Sequence, residues 1–162
     1  MNKNNFNVRQ MQAHAAVCLW AFCSHFTIKH DAITKLFEHL MSMLTTNSLP
    51  DWEQIGAGLD ITGRGDPLPS DIEKIIPSEH LAAFNSLVEC CVEVGIVDMY
   101  GASTEQPSNF LSKCIDILDQ SGAGSPTANH LNQYRVGSDP WGEAISESDL
   151  DNILKAYGVN FS

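Results

Sequence analysis

Apolar residues in this chain recur every three or four positions, and no segment shows convincing two-residue alternation of apolar and polar side chains. That spacing places the apolar set on one side of a helix, whereas a half-buried strand needs a period of two. The chain is therefore expected to fold from helices. A first helix is predicted from about Asn7 to Ile28, with Val8, Met11, Ala15, Cys18, Leu19, Phe22 and Phe26 along one face. Asp31 reads as the cap of a second, whose stripe is Ile33, Leu36, Phe37, Leu40, Met41 and Leu44, with Lys35, Glu38, His39 and Ser42 off it. Thr45 to Ser48 ends that helix and Pro50 forbids its simple continuation. The two are expected to pair as an antiparallel hairpin.

A short helix is predicted over Asp51 to Leu59, carrying Trp52 and Ile55, followed by one turn over Asp71 to Ile75. Between them, Asp60 to Ser70 holds two glycines and two prolines, which exclude a regular element of any length. The most hydrophobic helix runs from about Ser78 to Met99, with only Ser86, Glu89 and Glu93 in its polar strip, so it is expected at the centre of the fold. Within it, Val94 to Tyr100 is the only place where a short strand would be acceptable. Pro107 and Ser108 introduce a helix with Phe110, Leu111, Cys114, Ile115 and Leu118 inside. The last helix follows Ser146, where Ser146-x-x-Asp149 approximates a capping box, and Gly158 stops it. These elements predict an all-α protein, a single compact domain over residues 1–162 with about five principal helices and a long Gly/Pro-rich loop. A chain of 162 residues buries a sufficient core without disulfides or metal.

Charge narrows the function. The chain carries a net −11, unevenly spread. Residues 1–50 hold Lys3, Arg9, Lys29 and Lys35 against Asp31 and Glu38, a net +2, and the remainder holds five bases against 18 acids, a net −13. Nucleic-acid binding needs lysines and arginines to displace phosphate counterions, so no nucleic-acid partner is expected. An anionic membrane surface is disfavoured on the same ground, and no run is long enough to span a bilayer. Five cysteines, Cys18, Cys23, Cys90, Cys91 and Cys114, lie mostly in apolar helical stretches and read as free thiols in a reducing, cytoplasmic compartment.

Local catalytic motifs are missing. His14 and Cys18 stand four apart, but no second pair supplies the other ligands of a zinc ion. The glycines at 56, 58, 63 and 65 lack the following lysine and Ser/Thr of a phosphate loop. Neither a calcium loop nor a nucleophile elbow is present. No cofactor or metal is expected, and catalytic residues are assigned to none. Two further readings stay open: a helical enzyme assembled from separated residues such as His25, His80 or His130, and a homodimeric regulatory adaptor using an exposed apolar face of the first or second helix.

The acidic surface is the remaining feature. Asp60, Asp66, Asp71 and Glu73 lie in or beside the long loop; Asp139, Glu143, Glu147, Asp149 and Asp151 cluster before and within the last helix, beside Trp141. Carboxylates around an exposed aromatic suit a basic protein, because charge steers the encounter while the ring supplies buried area. In small size, acidity, free cysteines, helices and these acidic residues, the chain resembles bacterial toxin-immunity proteins, including those paired with contact-dependent growth-inhibition toxins. The resemblance implies a cytosolic inhibitor that occludes the active site of a cognate basic toxin such as a nuclease.

Overall fold

The computed structural model describes residues 4–160; Lys3, counted above in the charge of the first fifty residues, lies outside them. Helix α1 (Val8–His25) opens on a reciprocal cap: Asn7 Oδ1 accepts from the Gln10 amide and Gln10 Oε1 accepts from the Asn7 amide, each at 2.9 Å. It stops three residues short of the expected Ile28, at a turn where Thr27 takes φ +53°. Helix α2 (Asp31–Met41) is capped by His30 rather than Asp31, the imidazole Nδ1 accepting from the Ala32 amide at 3.0 Å. Asp31 instead sits in the first turn, where a carboxylate complements the helix dipole. A 3-10 turn, Ser42–Leu44, extends α2.

Helix α3 (Leu49–Ala57) begins earlier than Asp51, because Ser48 caps it and Pro50 falls in the first turn, where no amide donor is needed. Residues 58–69 carry no helix. Helices α4 (Ser70–Ile75), α5 (Ser78–Ile96) and α6 (Gln106–Ser121) follow, the last ending at Gly122 in the left-handed conformation, φ +84°. A 3-10 segment, Asn129–Tyr134, leads toward α7 (Glu147–Ala156), capped by Ser146 Oγ, which accepts from the Asp149 amide at 3.0 Å. Five of the seven α-helices have ten or more residues, matching the five principal helices read from the sequence. No strand is present among the described residues, so the allowance for one over Val94 to Tyr100 is corrected. Val94, Gly95 and Ile96 complete α5, and burial of Val94 and Gly95 outweighs β-branched preference there.

The most hydrophobic helix lies at the centre as expected: α5 packs on both α1 and α6 and keeps an exposed strip at Asn85, Ser86 and Glu89. Helix α1 shares that position, since every residue from Phe6 to Leu19 is buried and only its last turn, at Ser24 and His25, is exposed. Helix α1 packs on α2, α5 and α6. It runs antiparallel to α5, since Phe22 meets Phe84 and Phe26 stacks on His80 at one end, while Gln12 Nε2 donates to the Cys91 carbonyl at 2.8 Å nearer the other. Its pairing with α2 is also antiparallel, as expected: Trp20 lies against Phe37, and Arg9 reaches the carbonyls after α2.

Periodicity alone assigns the far side of α1 to solvent, yet Arg9, Gln10, Gln12 and His14 are all buried there. Each makes at least one hydrogen bond. Arg9 Nη1 donates to the Met43 carbonyl and, at 2.9 Å, to that of Thr46; Gln10 Nε2 donates to Leu131 O at 2.9 Å. A His14 ring nitrogen lies 3.3 Å from Pro126 O. Small residues (Ala13, Ala15, Ala16, Cys18) let neighbouring elements approach closely enough to make these bonds. Helix α7 closes the remaining side through Leu150 and Ile153, with the Ile145 amide on Leu44 O at 2.8 Å and the Tyr157 hydroxyl on Thr127 O at 2.7 Å. Among the described residues, no helix is long and apolar enough to cross a membrane.

Candidate functional site

The loop after α3 is held tightly on α5. Ile61 is buried, and Gly63, at φ +66°, lies so close that a Cβ there would stand 3.1 Å from the Val88 carbonyl. Arg64 ties the loop to α3, donating from Nη1 to Glu53 Oε1 at 3.0 Å and from Nη2 to Glu53 O at 2.9 Å. Asp66 Oδ2 accepts from Thr62 Oγ1 at 2.6 Å, closing the loop on itself. Asp60 and Asp66 then share a recess with Asn85 and Glu89 of α5. Asp71 meets His30 Nε2 at 3.0 Å, and this hydrogen bond is the main reason its carboxyl is held below the usual range. Glu73 is exposed in the first turn of α4.

The second acidic group is built differently. Asp139 Oδ1 accepts from the amides of Trp141 and Gly142 at 2.8 and 2.7 Å, making a side-chain turn. The Val8 amide donates to Pro140 O at 2.8 Å, which fixes this turn on the start of α1. Gly142, at φ +76°, abuts the Asn7 amide group, leaving no room for a Cβ. The Trp141 side chain is consequently half-buried against the core, which corrects the expectation of an exposed aromatic anchor. Glu143 and Glu147 are exposed, and Asp149 is half-buried in the first turn of α7.

The two groups are anchored near opposite ends of α2. Asp71 reaches the residue that begins α2, whereas Asp139 attracts Arg9, whose guanidinium serves carbonyls beyond the end of α2. The 11 residues of α2 alone put about 16 Å between these ends. Glu89 belongs with the first group and was missed as a candidate; its place in the polar strip of the fifth helix was the available signal.

Of the three histidines weighed for catalysis, His25 and His80 both contact the Phe26 ring, while His130 lies against Tyr157, so the fold brings two of them to one ring and not all three. The apolar stripes proposed for dimerisation on α1 and α2 are turned inward: Asp31, Lys35 and Glu38 are what α2 exposes. Among the described residues, no group of three or more His, Cys, Asp or Glu converges as metal ligands. Cys18, Cys23, Cys91 and Cys114 are buried free thiols, with Cys91 Sγ 3.7 Å from Cys114 Sγ and 3.1 Å from Ala15 O. Burial pushes the Cys23 thiol up to about 12. A cleft of about 620 Å³ lies between the end of α1 and the start of α2, with Trp20, Cys23, Ile33 and Phe37 among its walls. No family model matches this sequence, and neither curated proteins nor solved structures yield a significant match.

Proposed function

We propose that this protein is a binding module that neutralises a basic protein partner, in the manner of an immunity protein that occludes the active site of a cognate toxin such as a nuclease. The observation that carries the reading is the fate of the cations on folding. Arg9 is buried, Arg64 is tied to Glu53, and Arg135 Nη1 donates to the Asn5 carbonyl at 2.9 Å. Among the described residues, Arg64–Glu53 is the one ion pair between an arginine or lysine and a carboxylate. The acids left unpaired on the surface far outnumber the lysines. Such a field accelerates encounter with a basic protein and blocks lysines or arginines that would otherwise hold substrate phosphates. A cytosolic location accords with the five free thiols.

The test is recovery of the partner and charge reversal. Tagged protein is used to capture partners at low salt, and the partner identified by mass spectrometry is then purified and titrated. The expected partner is basic, releases as salt rises, and is tolerated in a host only when this chain is co-expressed. Asp66, Asp71 and Asp139 make internal hydrogen bonds, so they are poor reporters of contact. Reversal of Asp60, Glu73 and Glu89 to lysine tests one patch, and reversal of Glu143 and Glu147 tests the other. Loss of about tenfold or more in affinity for either set supports the reading. Unchanged affinity in both sets, or a salt-insensitive acidic partner, refutes it.

A further inference from the structure

Three thiols meet where α5 packs on α6. Cys91 and Cys114 are fully buried, and their sulfurs stand 3.7 Å apart. Each thiol has one hydrogen to give. Cys91 Sγ gives its own to the Ala15 carbonyl at 3.1 Å, so the hydrogen between the two sulfurs belongs to Cys114. Cys90 is turned about 100° from Cys91 on the same helix, which strains any bond between these two neighbours. It is half-buried where the other two are sealed, and both Cys114 and Lys113 act on its charge, so it faces the same turn of α6. The arrangement is a closed pair of sulfurs with a third at the surface. Where a compartment keeps thiols reduced, the disulfides that do form are transient and redox-sensing.

We propose that these residues form a peroxide-responsive relay, in which Cys90 meets the oxidant and a reversible Cys91–Cys114 disulfide between α5 and α6 is the product. The Cys90 sulfur first attacks hydrogen peroxide; the O–O bond breaks, a sulfenic acid forms and water leaves. Cys114 then attacks the Cys90 sulfur, and its proton departs with the hydroxyl as a second water. Cys91, already in contact with Cys114, displaces Cys90 by thiol–disulfide exchange, and its proton restores the Cys90 thiol. In total one peroxide is reduced to two waters while two thiols give up two electrons and two protons. Closing 3.7 Å to the about 2 Å of a sulfur–sulfur bond takes side-chain rotation rather than a new fold. Burial raises the Cys90 and Cys91 thiols, and the hydrogen bond to Cys91 raises Cys114. Thiolate is therefore scarce, and the relay answers sustained oxidant rather than traces.

The full-length protein is treated with hydrogen peroxide, blocked with N-ethylmaleimide in denaturant and mapped by peptide mass spectrometry without reduction. The wild type should yield a Cys91–Cys114 linkage with Cys90 carrying maleimide, and dithiothreitol added before blocking should erase the linkage. Cys90→Ser should lose most of the linkage over the same exposure, and Cys91→Ala should trap a Cys90–Cys114 linkage instead. If a core variant melts early by circular dichroism, the wild-type map and Cys90→Ser, a change at a half-exposed position, decide between them. Cys90 driven to sulfinic acid with Cys91 and Cys114 free overturns the relay. So does a wild-type product that stops at Cys90–Cys114 or joins two molecules through Cys90, and so does a Cys90→Ser protein that links as fast as the wild type.

Discussion

A close approach between the two longest helices offers a quantitative test of the packing. Gly95 faces Gln12 so tightly that a Cβ there would overlap Gln12 Oε1 and stand 3.1 Å from both Gln12 Cδ and Trp52 Cη2. Gln12 cannot simply swing away, because its Nε2 donates to Cys91 O at 2.8 Å in a fully buried site. Gly95→Ala gains about 1 kcal/mol in helix propensity and loses about 1–3 kcal/mol to overpacking, so it should be destabilising by up to about 2 kcal/mol. Gln12→Ala loses the bond to Cys91 and some packing, about 1–2 kcal/mol. It also removes Oε1, which has no hydrogen-bond partner in the buried site. In the double variant the new methyl enters the space vacated by Gln12, and only Trp52 need yield by a few tenths of an ångström. Gly95→Ala should then become stabilising by about 0.5–1 kcal/mol, giving a coupling near 2 kcal/mol. Urea unfolding followed by circular dichroism, with a common m-value across the four proteins, measures it. Additivity to within about 0.5 kcal/mol would refute the α1–α5 register described above.

Three other outcomes follow from named contacts. Arg9→Met leaves the Met43 and Thr46 carbonyls without their donor and should cost about 2–3 kcal/mol, a fall of about 4–10 °C in Tm by thermal denaturation. Burial, reinforced by Arg64, lowers the His39 imidazole to about 4. Its unfolded value is about 6.5, so the unfolded chain binds more protons between those limits, and stability should fall as pH drops from about 6.5 to about 4. His39→Gln should flatten that slope in pH-dependent urea titrations without erasing it, since burial lowers His14 in the same sense. In native protein, maleimide should label Cys90 first, because it is the half-exposed thiol of the five, and the other four should react only on unfolding; mass spectrometry of the adducts distinguishes these outcomes.

Much of the fold was legible because its signals are local. The stripe of α2 from Ile33 to Leu44 is buried residue for residue, and Ser146 and Gly158 bound α7 where capping chemistry places them. The centre was legible only in part, since α1 shares it with α5. Hydrophobicity ranks α5 above α1, but hydrophobicity measures what a helix brings to an interface, not how many interfaces it meets. Arg9, Gln10, Gln12 and His14 look like a solvated face, and only the positions of Met43, Leu131, Cys91 and Pro126 show that each has a carbonyl awaiting it. Those carbonyls lie 34 to 121 residues away in sequence, beyond any window of periodicity. Trp141 failed for the same reason: its orientation depends on a bond between Val8 and Pro140.

The charge asymmetry was legible as a total and hidden as a surface. Counting residues treats all nine bases as available to offset the acids. Folding withdraws all three arginines, because a guanidinium carries several donors in a fixed plane and can satisfy carbonyls or a carboxylate inside the structure. Arg9, Arg64 and Arg135 each do so. The lysines among the described residues remain outside, and one of them, Lys113, lies over the Phe110 ring at 4.8 Å rather than beside a carboxylate. The acids are treated in the opposite way: of those singled out from sequence, Asp66, Asp71 and Asp139 hold turns or a histidine, yet all three stay exposed. A partner therefore meets carboxylates whose directions are already fixed, so less side-chain entropy is lost when its cations arrive.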